Sequence, residues 1–197
     1  MGRTIDPIFG PVQALVNIPK SKVDVAEFSA VVRPTRELTF NGSVTYLDSK
    51  VTSSFLNFSS YVASDGLTPP FDQVNFQGES FPFTPKWSFS YGARYEHPLN
   101  EHLNGFVEVD GTHQSGTVGI FGADHANAEG PSFNIPGYGL VDLNAGVSSA
   151  DKKWSASLWA KNVLNKYYWT SVYYENDTTV RMAGMPATYG ITVSMKY

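Results

Sequence analysis

The last eleven residues, Ala187-Thr-Tyr-Gly-Ile-Thr-Val-Ser-Met-Lys-Tyr197, alternate without a break between apolar side chains and small or polar ones. Successive side chains of a β-strand point to opposite faces, so the apolar residues share one side. These residues are Tyr189, Ile191, Val193, Met195 and Tyr197. A tilted strand of about nine to eleven residues crosses a bilayer. The stretch therefore predicts an amphipathic, membrane-spanning strand that ends on an aromatic residue.

The composition favours strands over helices as the membrane-spanning elements. Charged residues make up 16% of the chain and aromatic residues 14%, while the mean hydropathy is only −0.21. No apolar run approaches the ~18 residues that a membrane helix requires. Alternation hides apolar content in a β-barrel, because lipid-facing residues lie between lumen-facing ones. The net charge of −4 argues against nucleic acid as a partner.

The same alternation recurs along the chain and predicts about eight strands. Its clearest internal example runs from Trp87 to Tyr95, where aromatic or alanine side chains alternate with Ser, Gly and Arg. The other predicted strands are Val23–Val32, Leu38–Tyr46, Leu103–Gln114, Leu140–Ser149, Trp154–Val163, the terminal strand and a less regular one near Val12–Asn17.

The connections between these strands alternate in length. Three are short and polar, at 33–37, 98–102 and 149–153, and three are long, at 52–84, 117–136 and 171–185. Such alternation is typical of short periplasmic turns and long extracellular loops in outer-membrane barrels. The first connection, Ile18–Lys22, is short where this scheme requires a long one.

The two faces of the predicted strands differ in chemistry. Glu108 and Asp110 share a side of their strand, with Val107 and Val109 on the other. A carboxylate facing hydrocarbon is costly, so the charged side should line water or protein and the apolar side should meet lipid. A soluble antiparallel sandwich with one buried sheet face would show the same alternation, and it remains an alternative at this point.

Two motifs in the last 36 residues carry a family resemblance. Asn162, Asn165, Lys166 and Tyr168 form an Asn-x-x-Asn-Lys-x-Tyr signature, and Gly184, Pro186 and Gly190 belong to a Gly-x-Pro-x-Thr-Tyr-Gly run. Together with the terminal aromatic residue they resemble the carboxyl-terminal end of TonB-dependent outer-membrane receptors. Further similar elements occur upstream in the same order: Val25–Phe28 before Arg33-Pro34, Phe83–Lys86 opening one strand, and Pro136–Tyr138 opening another.

This resemblance implies that residues 1–197 are the carboxyl-terminal portion, about the last third, of a 22-stranded transmembrane β-barrel without its plug domain. The first residues, Met1–Pro7, lack the apolar core of a signal peptide, and we expect mature or engineered sequence, or a fragment whose front end is missing. The implied function is active uptake across the bacterial outer membrane of a bulky, scarce nutrient such as a ferric siderophore, cobalamin or a glycan.

The resemblance also implies the partners. They are outer-membrane lipid, the barrel-assembly machinery, the rest of the barrel and the plug, the TonB energy-coupling complex reached through the plug, and a nutrient of unknown identity. The residues Tyr189, Ile191, Val193, Met195 and Tyr197 would form the signal that the assembly machinery reads. We expect no catalytic residue, cofactor or metal site in these residues.

Three alternatives stay open from the residues themselves. Eight strands suffice for a small self-contained barrel with a structural or adhesin role. Asp124, His125 and Glu129 form the only dense cluster of acids and histidine, which leaves a hydrolase active at the barrel rim as another hypothesis. The aromatic-rich connection could contact a ligand or pack on itself; its aromatic residues are Phe55, Phe58, Tyr61, Phe71, Phe76, Phe81 and Phe83.

Overall fold

The computed structural model describes residues 2–6, 10–14, 17–58, 73–123, 132–175 and 178–196 of the chain, and fifteen strands lie in these segments. In chain order they are β1 (Gly2–Asp6), β2 (Gly10–Ala14), β3 (Ser21–Val32), β4 (Leu38–Val51), β5 (Leu56–Phe58), β6 (Gln73–Asn75), β7 (Trp87–Pro98), β8 (Leu103–Gln114), β9 (Thr117–Val118), β10 (Asn134–Ile135), β11 (Tyr138–Ser149), β12 (Trp154–Lys161), β13 (Trp169–Glu175), β14 (Thr178–Ala183) and β15 (Thr188–Met195). In these same segments no helix has the length and apolar character needed to cross a membrane.

Seven strands form one antiparallel sheet in the order β15-β12-β11-β8-β7-β4-β3. Each strand pairs with the sheet strand that precedes it in the chain, so the sheet is a meander without crossovers. The predicted all-β, antiparallel fold is confirmed, and Leu103–Gln114 has the predicted bounds. The largest difference is in β4, which continues past Tyr46 because its pairing with β3 extends to Val51.

The structure corrects one predicted strand, the segment near Val12–Asn17. Its strand, β2, pairs with β1 in a separate hairpin, and β1 contacts β5, which belongs to the long connection after β4. Pro11 removes a backbone donor, which a hairpin edge tolerates better than a sheet interior. The sheet of the described residues therefore has seven strands. The short connection Ile18–Lys22 follows a hairpin at the loop end, so the alternation of lengths is not broken.

The short turns all lie at one end of the sheet. They connect β3 to β4, β7 to β8 and β11 to β12, whereas the long connections lie at the opposite end. Backbone hydrogen bonds stabilise the turn end: the Ala150 N–H donates to the His102 carbonyl at 2.8 Å, and the Glu96 N–H donates to the Glu37 carbonyl at 2.8 Å. The predicted separation of short turns from long loops is confirmed.

The two faces of the sheet differ as predicted. Register pairing places Arg94, Glu108 and Asn144 side by side on the polar face. On the other face a continuous apolar row crosses five strands, and it comprises Tyr95, Val107, Ala145, Leu158 and Ile191. Leu158 is 63% exposed and Ile191 72% exposed. A soluble sandwich would bury this face under a second sheet, which the described residues do not provide.

The packed core of the described residues lies in the loops instead. Phe133 and Val172 are fully buried and Ile135 is 2% exposed, although they come from two different long connections. Phe76, from the aromatic-rich connection, is stacked on Phe121 with ring centroids 6.0 Å apart. The three long connections thus form one structure, which we call the loop cap.

Several aromatic residues of the aromatic-rich connection pack on the chain itself rather than remaining free for a ligand. Phe55 packs on Phe76 with centroids 5.8 Å apart, and Phe81 packs on Phe121 at 5.6 Å. These residues pack on the chain itself, whereas Phe83 is 51% exposed. Phe58, Tyr61 and Phe71 have side chains outside the described residues, as have Asp124, His125 and Glu129 of the hydrolase hypothesis.

Candidate functional site

The signature residues converge at the loop end of the β12–β15 hairpin. Asn162 directly follows the last residue of β12 and is 4% exposed. Its backbone has a φ of 48°, in the left-handed region that asparagine tolerates better than most residues. The Asn162 N–H donates to Asp142 Oδ1 on the neighbouring strand β11 at 2.8 Å. These features turn the chain sharply out of the sheet at this point.

The Asn162 side chain then connects two separated segments. Its Nδ2 donates to the Lys166 carbonyl at 3.0 Å and to the Met185 carbonyl at 2.9 Å, while its Oδ1 accepts the Lys166 N–H at 2.8 Å. Both amide hydrogens and the amide oxygen are therefore used. A buried amide that loses such partners costs about 1–3 kcal/mol per unsatisfied group.

Asn165 adds a second connection between the same segments. Its φ is also 48°, and its N–H donates to the Asn162 carbonyl at 2.8 Å. The Asn165 Oδ1 accepts the Ala187 N–H at 3.0 Å. We call this group the asparagine clasp: Asn162 and Asn165 with the backbone of Lys166, Met185 and Ala187. It fixes the chain that enters β15 against the chain that leaves β12.

The other signature residues fit around the clasp. The Tyr168 carbonyl accepts the Gly184 N–H at 2.9 Å, and a Cβ atom at Gly184 would overlap the Tyr168 ring. Pro186 lies between the two residues that the clasp holds, where its missing N–H removes no bond of the clasp. Lys166 contributes its backbone, and its side chain is exposed without an ion pair in the described residues. The clasp thus explains most of the signature in structural terms.

Strand β15 exposes its apolar face. Tyr189, Ile191, Val193 and Met195 are each 63–72% exposed, on the side of the sheet that carries the apolar row. On the opposite side, Gly190 lies under the Trp159 ring, where a Cβ atom would overlap it. One edge of β15 pairs with β12, and no other described strand pairs with its second edge. Tyr197 lies outside the described residues.

Charged side chains meet on the polar face, where they form a small network. Arg94 contacts Glu108 Oε2 and Glu96 Oε2, both at 3.1 Å, and its guanidinium carbon lies 4.1 Å from the centre of the Phe106 ring. The sequence placed Glu108 on this face but did not identify Arg94 as its partner. Each residue occupies a polar position in the alternating sequence of its strand. The two side chains meet only because the register pairs Arg94 of β7 with Glu108 of β8.

The histidines do not form a site in the described residues. His97, His102 and His113 belong to different parts of the sheet and its turns. Within the described segments, no group of three or more His, Cys, Asp or Glu side chains is placed to hold a metal ion.

A sequence model of the TonB dependent receptor-like β-barrel family matches residues 3–163. The chain belongs to this family. TonB-dependent receptor barrels reside in the bacterial outer membrane, so the exposed apolar row meets lipid. The match includes Asn162 but not the other signature residues, whose likeness to the family remains a prediction. A comparison with curated proteins gave no match.

Family membership shows which end of this TonB-dependent receptor barrel faces the periplasm and which faces the exterior. Short turns face the periplasm and long loops face the exterior in outer-membrane barrels, so the loop cap is extracellular. Tyr46 and Trp87 contact each other below the cap, with centroids 4.8 Å apart, and Trp87 also stacks on Phe89. Aromatic rings favour the interface between headgroups and hydrocarbon, and these three residues suit the outer interface.

Proposed function

We propose that the chain supplies part of the wall, the extracellular loops and the assembly signal of a receptor that takes up a bulky, scarce nutrient. A ferric siderophore, cobalamin or a glycan fits this class. Uptake would be driven by the TonB energy-coupling complex, which acts through a plug domain inside the barrel. The barrel-assembly machinery would read the outward face of β15 during insertion.

The observation that carries this proposal is the loop cap above a two-faced sheet. The lipid-facing side is apolar and open, while the polar side carries the Arg94 network. Phe133 and Val172 give the extracellular loops a packed core of their own. Packed loops over a polar lumen are suited to capturing a ligand from outside the cell. A barrel with only a structural role would not need them.

The open edges support a wall segment rather than a self-contained small barrel. In the described sheet, β3 and β15 each have one edge without a partner strand. Unpaired backbone groups cannot be satisfied in lipid, so further strands of the receptor would pair there.

Nutrient uptake tests the proposal directly. Cells that lack the gene, and cells complemented with it, would be given radiolabelled ferric siderophore, cobalamin or oligosaccharide in separate assays. We expect accumulation of one of these to fall to background without the gene. It should also fall in complemented cells treated with a protonophore, because the energy for uptake would come from the inner membrane.

A matched pair of loop variants ties uptake to the cap. Val172→Asp places a carboxylate in the buried core of the cap, whereas Leu56→Asp, also in the cap, changes a side chain that is 57% exposed. A buried unpaired charge is strongly destabilising, so Val172→Asp should disrupt the core of the loop cap. We expect this variant alone to abolish uptake. Because the sheet is unchanged, both variants should reach the outer membrane at the normal level. Uptake that no deletion affects, or that persists with the protonophore, would contradict the proposed function.

A further inference from the structure

The apolar face of the sheet becomes charged at the loop end of β3 and β4. Ala26 pairs with Tyr46 on this face, and Tyr46 contacts Trp87 at the outer membrane interface. Alternate residues of a strand share a side, so the next two register pairs on the same face toward the loop end are Asp24 with Asp48 and Lys22 with Lys50. These charged pairs therefore lie on the outside of the barrel wall, beyond the aromatic residues.

Their distance from the hydrocarbon matches the layer of lipid headgroups. Asp48 lies two residues beyond Tyr46 and Lys50 lies four residues beyond it. These separations are about 7 and 14 Å along the strand at ~3.4 Å per residue. In a strand tilted by about 45° they become roughly 5 and 10 Å along the membrane normal, and the headgroup layer is about 5–7 Å thick. The charged pairs thus span this layer and its outer boundary.

Four lysines gather at this level, and we call them the lysine cluster: Lys20, Lys22, Lys50 and Lys86. Lys20 continues the alternation of β3, and its carbonyl accepts the Thr52 N–H at 3.0 Å. Lys86 directly precedes β7, and its ammonium lies 3.5 Å from Asp48 Oδ1. Four cations against the carboxylates of Asp24 and Asp48 leave a surplus of two positive charges, in a chain whose net charge is −4.

The lysines differ in how far they are already neutralised. Lys22 pairs with Asp24 at 2.7 Å and Lys50 pairs with Asp48 at 2.8 Å, each within its own strand. Lys86 has to share Asp48 with Lys50. Lys20 is exposed and forms no ion pair with any side chain in the described part of the chain. Lys20 and Lys86 are therefore the cations most available to an anion.

Two lysines of the cluster face each other directly across the strands. Lys22 is the register partner of Lys50, and both ammonium groups bind an aspartate of their own strand. Side chains at directly opposite positions start from Cβ atoms about 4.5–5.5 Å apart, and like charges there are destabilising. A phosphate group bound over the pair would offset this repulsion.

A cavity of about 500 Å³ adjoins the lysine cluster. Lys86 and Trp87 belong to its lining, which also includes Ser80, Thr117 and Asn134 and no described carboxylate. Trp87 is 44% exposed. An exposed aromatic ring beside hydroxyl and amide side chains is suited to a sugar, because the sugar packs its C–H groups on the ring and exchanges hydrogen bonds through its hydroxyl groups.

We infer that the lysine cluster and this cavity bind the phosphorylated saccharide headgroup of a lipid in the outer leaflet. The phosphate would lie over the lysine cluster and the sugar would occupy the cavity against Trp87, with Lys86 between them. Ammonium groups at a membrane surface attract anionic headgroups and donate charge-assisted hydrogen bonds to phosphate.

The place of this site in the wall separates it from nutrient uptake. Trp87 contacts Tyr46 and Phe89 on the face that meets lipid, opposite the polar face with Arg94. The ligand is therefore a component of the membrane and not a solute that crosses the lumen. The inference requires the outer-membrane location of the chain but not the proposed uptake function.

Native mass spectrometry of the full chain in detergent micelles tests the inference. The probe is lipid A, a diphosphorylated disaccharide that carries acyl chains. We expect one molecule of lipid A to remain bound to each chain, and dephosphorylated lipid A and phosphatidylglycerol to bind more weakly. The first of these lacks the phosphates and the second lacks the sugar, so the comparison separates the two halves of the site.

Matched variants locate the binding. Lys20→Gln with Lys86→Gln removes two cations, keeps the short ion pairs of both aspartates, and should weaken lipid A binding about tenfold. Arg33→Gln with Arg36→Gln removes the same charge from the periplasmic end of the sheet and should leave binding unchanged. Trp87→Leu should weaken the binding of lipid A but not that of phosphatidylglycerol. Circular dichroism checks that each variant keeps its strand content.

Three results would overturn the inference. Equal weakening by the lysine and arginine variants would indicate a diffuse attraction between charges. Equal binding of lipid A and phosphatidylglycerol, or an unchanged affinity of Trp87→Leu, would show that the cavity does not hold a sugar. Displacement of lipid A by glucosamine 1-phosphate at the same concentration would indicate a site for a soluble ligand. The assay needs no nutrient or energy coupling, so a failed uptake experiment would leave its result standing.

Discussion

Asn162 combines a left-handed backbone with a side chain that both donates and accepts. The left-handed conformation is costly for residues with a Cβ atom, and Asn is among the few that adopt it readily. Glycine would adopt it too, but it would leave the Lys166 and Met185 carbonyls without their donors. Aspartate has no amide hydrogens to donate to them. The position therefore selects asparagine on two independent grounds.

Replacing Asn162 tests the clasp. Asn162→Ala removes two donors and one acceptor and keeps an unfavourable backbone, so we expect the free energy of unfolding to fall by about 2–4 kcal/mol. Asn165→Ala removes one acceptor and should cost less, about 1–2 kcal/mol. Urea unfolding of the detergent-folded protein, followed by tryptophan fluorescence, would measure both losses. Equal losses, or no loss at Asn162, would show that the clasp does not stabilise the fold.

The sequence singles out the residues of the signature but does not show how they interact. The spacing of Asn162, Asn165, Lys166 and Tyr168 resembles a family motif. The bonds from Asn162 reach Met185, across a connection that contains its own hairpin. No local pattern encodes a contact over that separation, so the roles of the residues required the three-dimensional structure.

At the scale of elements, period-two alternation predicted every strand of the sheet. It succeeds because one face meets lipid and the other meets the lumen, so each strand must separate its side chains by polarity. The short strands of the loop cap were not predicted from alternation. Phe133, Ile135 and Val172 pack irregularly in a local core, where no fixed repeat relates one buried residue to the next.

Strand β15 offers a paired test of the two faces. Ile191→Lys puts a cation in the hydrocarbon layer at a cost of about 2–4 kcal/mol, and we expect a reduced amount of folded receptor in the outer membrane. Thr192→Lys adds the same charge one residue later, on the polar face, and should reach normal levels. Heat-modifiable migration of outer-membrane fractions on gels would report the folded amount. Equal levels of the two variants would refute the assignment of the faces.

At the scale of the whole molecule, the two outer strands remain open. All twelve residues of β3 are exposed, and the second edge of β15 has no partner among the described strands. The sequence predicts an incomplete barrel mainly through the family resemblance, because strand number and closure follow from pairings between distant segments. Alternation alone was equally compatible with a small closed barrel.

Conductance distinguishes these two forms. We expect the 197-residue chain alone to give no stable single-channel current in a planar bilayer, since its open edges would expose unpaired backbone groups to lipid. Discrete current steps from a heat-modifiable monomer would instead establish a self-contained pore.

The shared core of the extracellular loops has an immunological consequence. Phe133 and Val172 pack together although they come from separate connections, and Phe76 stacks on Phe121 across another pair of connections. The outer surface is therefore assembled from segments that are distant in the sequence. Antibodies raised against the folded receptor should recognise composite epitopes. Synthetic peptides copied from a single loop would reproduce them poorly, and a vaccine antigen built on this surface would need the loops presented together.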